Sequence, residues 1–187
     1  MSWLRKHALD TAAFVWGVAE ATLFFLVPDI ILSYIGLKRG VKPAARASLV
    51  AAIGAAVGGL IMYFWSAADP NAARQAVLAV PAISEEMFAR AEDAMGMHAW
   101  FGATILGPLS STPFKVYAVL APYAGASPIV FAFASILARL PRFVLVSVGV
   151  ALLGRFLSRW LSERQRFWLL IGAWLLFYAV FFTLMPN

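Results

Sequence analysis

Apolar residues run through this chain in long blocks, and the charged residues fall in clusters between them. Residues 11 to 37 are apolar except for Glu20 and Asp29, and Pro28 directly precedes the aspartate. A proline there makes a straight helix difficult to continue, so the block predicts a helix that breaks and returns as a re-entrant hairpin. Residues 47 to 68 carry no charge and are long enough to cross a hydrocarbon core of about 30 Å. Within this span Gly54 and Gly58 form a GxxxG pair beside Ala51, Ala55 and Gly59, a surface that admits a neighbouring backbone. Packing within the chain is the favoured use of that surface, and dimerisation is the alternative.

Residues 69 to 98 hold the chain's acidic stretch, with Asp69, Glu85, Glu86, Glu92 and Asp93. Ser84 is placed to cap a short helix with Glu85 and Glu86 in its first turn, and Met87, Phe88, Ala91 and Met95 then share one face. That pattern predicts an amphipathic helix lying on a bilayer surface or on the protein's own rim. Residues 99 to 126 are apolar again but are interrupted by Gly107, Pro108, Pro113, Pro122 and Gly125, with Lys115 in their middle. Broken backbone at membrane depth must be buried in protein or line a wet cavity, which predicts a second re-entrant hairpin. Ser127 and Pro128 make a capping residue and first-turn proline for a spanning helix over 127 to 154, with Arg139 about 18 Å along it and a kink expected at Pro141. Arg155, Arg159, Arg164 and Arg166 precede a last uncharged span, 167 to 187. Trp65, Trp160 and Trp168 sit near segment ends as interfacial anchors.

The fold class so predicted is an all-α, polytopic integral membrane protein, one membrane domain over residues 1 to 187. It has two facing re-entrant hairpins, about three spanning helices and a short interfacial helix. Composition agrees: 63% of residues are hydrophobic and 13% charged, against roughly 45–50% and about 25% in ordinary soluble domains. Arg5 and Lys6 precede an apolar stretch as in a signal peptide, but Glu20 and Asp29 interrupt it, so a retained first membrane segment is expected. The formal charge of +6 is split among short loops rather than gathered on one face, which argues against nucleic acid as a partner. The 38 to 46 and 155 to 166 segments hold four basic residues each and are expected on the cytoplasmic side, leaving 69 to 98 outside. The two hairpins then enter from opposite faces and their tips meet near the midplane, the inverted-repeat logic of secondary transporters.

Five ionisable residues, Glu20, Asp29, Lys115, Arg139 and Arg142, fall in these embedded segments. Each costs on the order of 2.5–3.5 kcal/mol at a helix centre, so they are expected to converge on one cavity. There the acids are candidate proton-binding groups and the bases a candidate phosphate clamp, joined by backbone N–H groups at the broken tips. The alternative is that Glu20 with an arginine, and Asp29 with Lys115, are buried ion pairs that fix packing. Ser110, Ser111 and Thr112 serve equally well as head-group ligands or as partners for freed backbone. The chain has no cysteine, and His7 and His98 are isolated, so neither a thiol nucleophile nor a metal cluster is expected. No nucleophile elbow, glycine-rich phosphate loop or paired histidine–aspartate pattern is present, and neither enzymatic activity nor a cofactor is expected.

EATLFFLVPD at 20 to 29, TPFKVYAVLAPYAG at 112 to 125 and FASILARLPRF at 133 to 143 resemble the DedA family, the bacterial part of the VTT-domain (SNARE-associated Golgi) superfamily, and within it the short YqaA-like branch. The resemblance covers most of residues 12 to 155. It implies a multi-pass bacterial inner-membrane protein whose hairpins flip or scramble a phospholipid or polyprenyl-phosphate carrier, often with proton coupling. Membrane lipids and protons are then its partners, and a homo-oligomer is left open. The family's acids map onto Glu20 and Asp29, and Pro28, Pro113 and Gly125 onto hairpin-tip positions. Longer members carry an Arg, aromatic, Pro, Arg pattern where this chain reads GPLSSTPFK, retaining Pro113 and Lys115 in place of the second arginine. RLPRF at 139 to 143 imitates that pattern in the following helix, and substitution of Arg139 and Arg142 for the missing arginine is a hypothesis. A membrane scaffold or assembly factor, and a proton-coupled carrier of a small solute, are the rival readings.

Overall fold

The computed structural model describes residues 2–96, 99–107 and 112–184, with side chains from residue 8 onward. All regular structure among them is helical: α1 (Ser2–Ala21), α2 (Asp29–Arg39), α3 (Val41–Ala68), α4 (Pro70–Leu78), α5 (Glu85–Met95), α6 (Trp100–Leu106), α7 (Phe114–Leu120), α8 (Pro128–Leu157) and α9 (Glu163–Leu184). Three of these, α3 with 28 residues, α8 with 30 and α9 with 22, are long and apolar enough to cross a membrane.

The first block does break, between Ala21 and Asp29, with Pro28 at the helical cap position of α2. Its arms are longer than the apolar pattern indicated, because α1 starts at Ser2 and α2 runs to Arg39. The basic segment at 38 to 46 is therefore not a loop. Lys38 and Arg39 end α2, Lys42 and Arg46 begin α3, and only Gly40, with φ 85°, separates the two helices. A left-handed backbone costs little in glycine, so one residue suffices to turn the chain.

α3 is the axis of the molecule. Gly54 and Gly58 face α1: a methyl group on Gly54 would meet the Phe14 carbonyl oxygen at 2.2 Å, and one on Gly58 the Val18 carbonyl oxygen at 2.5 Å. Gly17 answers from α1, with the Ala51 carbonyl at 2.2 Å. The GxxxG surface is thus occupied within the chain, backbone against backbone. On its other sides α3 packs against α2, α7 and α8. Buried Ser48 and Ser147 share a 2.8 Å hydrogen bond between α3 and α8.

The acidic stretch forms two short helices. Asp69 caps α4, accepting from the Ala72 amide at 3.0 Å. Ser84 has the extended backbone of a cap at α5 but makes no side-chain capping bond. Met87, Phe88, Ala91 and Met95 are buried, the last three in the main apolar cluster, so α5 packs on the protein. Arg74 bridges the two helices to Glu85 and Glu92 at 2.7 and 2.6 Å. The hydrogen bond to Glu85, then that to Glu92, raises the Arg74 pKa above its ordinary value.

In the second block α6 and α7 are the arms, and Pro113 caps α7 with extended backbone. Most of the joining turn, with Pro108, Ser110 and Ser111, lies outside the described residues, as does His98. Gly125 is not at this tip: with φ 74° it turns the chain between α7 and α8. Ser127 caps α8 as the sequence indicates, accepting from Val130 N at 3.4 Å. α8 is assigned as one helix through Pro141 and continues to Leu157. α9 differs from every other long helix in having no buried residue. Lys38 and Glu163, 2.5 Å apart, tie its start to the end of α2 and put both basic segments at the same end of the molecule.

Candidate functional site

The break in α1–α2 frees backbone groups that lipid cannot satisfy, and side chains from three other places satisfy them. The Trp16 indole donates to the Leu26 carbonyl at 3.0 Å, and the Lys115 ammonium to the Phe24 carbonyl at 2.8 Å. The Val27 amide donates to the Tyr178 hydroxyl at 2.9 Å. Lys115 therefore joins the two interrupted segments directly. At the end of α7, Ser66 donates to the Val119 carbonyl and Tyr63 to the Ala126 carbonyl, both at 2.7 Å.

Arg139 and Arg142, three residues apart, lie near one face of α8. They take the two acids of the first break in turn. Arg139 donates to both carboxylate oxygens of Glu20, with the arginine 3% exposed and the glutamate 6%. Arg142 donates to Asp29 Oδ2 at 2.5 Å, with the aspartate 1% exposed and the arginine side chain 38%. The pairing of Asp29 with Lys115 is thus corrected: Arg142 holds Asp29, and among the described residues Lys115 forms no salt bridge. Asp29 Oδ1 and Arg139 Nε are buried with no hydrogen-bond partner.

The position of Arg139 is fixed through α3. Gly59 has no side chain, and a methyl group there would come 3.0 Å from the Phe114 ring. Phe114 uses that space to stack on Phe131, ring centroids 5.9 Å apart, and its ring then lies 4.9 Å from the Arg139 guanidinium. Phe143 lies 5.9 Å away from the same guanidinium. A guanidinium held between aromatic rings and a carboxylate is fixed in orientation.

All five ionisable residues line one cavity of about 540 Å³. The rest of its wall is largely apolar, with Val146 and Val150 from α8 and Leu170, Trp174, Phe177 and Phe181 from α9. Thr112 also lines it. With every group ionised, three cations face two carboxylates, and Lys115 is the cation without a carboxylate. The contribution of α9 was not read from the sequence. Tyr178 reaches Val27, and Trp174 donates to Ser33 Oγ at 3.0 Å. The signal was present as Trp174, Phe177, Tyr178 and Phe181 at helical spacing, but in an all-apolar span such a stripe reads as lipid-facing.

The described residues thus form an all-helical protein with three candidate membrane-spanning helices and a charged cavity lined by both interrupted segments, α8 and α9. No protein-family model, curated protein or solved structure matches the chain.

Proposed function

We propose that this chain is a DedA-like membrane transporter that flips or scrambles a phosphorylated lipid, a phospholipid or a polyprenyl-phosphate carrier. The observation that carries the reading is the make-up of the cavity: its lining combines three cations and two carboxylates with a largely apolar wall. A phosphate suits the first and an acyl or prenyl chain the second. In this reading the two interrupted segments are re-entrant hairpins and the basic end is cytoplasmic. Lys115, Arg139 and Arg142 receive the head group, with arginine's fork suited to phosphate oxygens. Glu20 and Asp29 couple transport to protons, since protonating Glu20 removes the charge that holds Arg139 and frees that guanidinium for a phosphate.

The pairing of both carboxylates with guanidinium groups also supports a second reading, a membrane scaffold whose ion pairs fix its packing. Transbilayer movement separates the two. In proteoliposomes, fluorescent phospholipid or polyprenyl phosphate is expected to cross faster with the natural chain than with empty vesicles, and a proton gradient is expected to change the rate. Glu20→Gln is expected to be folded and slow. Full movement in both Glu20→Gln and Arg139→Ala would refute the mechanism, and no movement by well-inserted natural protein would favour the scaffold or a small-solute carrier.

A further inference from the structure

A second cavity, about 440 Å³, shares no residue with the first and lies at the junction of α1, α2 and α3, where Gly40 turns the chain. Along α2 the first cavity is lined by Asp29 and the second by Ile35 and Arg39, so the nearest lining residues are separated by about 9 Å of helix. Arg39, Lys42 and Arg46 line this second cavity with a single carboxylate, Asp10. Asp10 neutralises Arg46 alone, Oδ2 to Nη2 at 2.6 Å, and Arg46 Nε is buried with no partner. Among the described residues Arg39 and Lys42 form no ion pair. The floor is apolar, from Leu9, Ile35 and Pro43.

We propose that Arg39, Lys42 and Arg46 form a second anion site, which takes a phosphate group at the basic end of the molecule. The excess of two positive charges sets the sign of the ligand, and two arginines with a lysine suit phosphate oxygens. The phosphate belongs to an anionic lipid head group or to a free phosphate, and the site stands independently of whether the chain transports anything. Basic pockets between membrane helices are suited to anionic head groups.

The test uses the full chain in detergent and follows its thermal unfolding and, by native mass spectrometry, its bound ligands. Short-chain phosphatidylglycerol, phosphatidylcholine and inorganic phosphate are titrated separately. Phosphatidylglycerol or inorganic phosphate is expected to raise Tm, and phosphatidylcholine to do much less. The double variant Arg39→Gln/Lys42→Gln removes two unit charges and is expected to bind about thirtyfold more weakly, while Arg90→Gln, exposed on α5 and outside both cavities, keeps the response. Lys42→Glu alone provides a second variant that leaves both arginines in place, and it too is expected to weaken binding. Stabilisation by phosphatidylglycerol alone assigns the site to lipid, and by inorganic phosphate as well, to a free anion. Equal binding by the natural chain and the double variant, loss of the response in Arg90→Gln, or no response to either anion would overturn the proposal.

Discussion

The α1–α3 interface and the α9 wall are both made of apolar helix, yet they are packed in opposite ways. At the first, Gly17, Gly54 and Gly58 bring two backbones into contact. At the second, α9 has no buried residue, touches α2 and borders a cavity rather than filling it. Where backbones touch, the helices have one register, and the carboxylate of Glu20 is delivered to Arg139 with little freedom. Where a helix lies over a cavity, its side chains can be parted from the other wall without breaking a core. The molecule thus combines a fixed frame carrying charge with one loosely held apolar wall.

The largest expected effect lies at the charged end of the frame. Glu20→Ala leaves the Arg139 guanidinium buried and unpaired, a loss of about 3–5 kcal/mol. Replacing both partners, Glu20→Leu with Arg139→Met, removes the stranded charge and is expected to recover most of that stability, as read by reversible unfolding in mixed micelles. A double variant as unstable as Glu20→Ala would mean that the pair does more than neutralise itself. Next is Gly54→Leu, whose side chain would have to displace the Phe14 backbone, at a cost of about 1–3 kcal/mol. Gly172→Leu on α9 meets nothing within 4 Å and is expected to stay within about 0.5 kcal/mol of the natural chain. Equal losses at Gly54 and Gly172, measured in the same micelles, would erase the distinction between frame and wall.

Much of this arrangement is legible along the chain, because membrane insertion makes apolar length and charge placement decisive. The uncharged run at 47 to 68, the breaks near Pro28 and Pro113 and the cap at Ser127 correspond to helix bodies and ends. Helix ends beyond the apolar run were less legible: charged Lys42 and Arg46 read as loop, though charged residues at a helix end are compatible with helix and water alike. Partner choice among buried charges was illegible for another reason. Whether Asp29 meets Lys115 or Arg142 depends on how α8 is rotated against α2, and the α2–α8 contact that sets this is a close approach of Gly36 to the Ser147 carbonyl, 2.2 Å from a notional methyl. Nothing in the local pattern around residue 29 encodes it. Convergence of the five charges was easier to anticipate, since none is tolerated in lipid without a partner or water.

Lys115 is the most direct handle on the central claim, because it is the cavity's cation without a carboxylate and sits where the two interrupted segments touch. Lys115→Gln removes the charge and offers an amide donor, on a side chain one bond shorter, toward the Phe24 carbonyl, and the variant is expected to fold like the natural chain. The decisive measurement is the rate at which it moves fluorescent phospholipid and polyprenyl phosphate across proteoliposomes, with folding verified by unfolding temperature. The account predicts at least about a tenfold slower rate at unchanged stability, the worth of one charge-assisted contact to phosphate. An unchanged rate in a folded Lys115→Gln protein would contradict it and leave the charged cavity as packing.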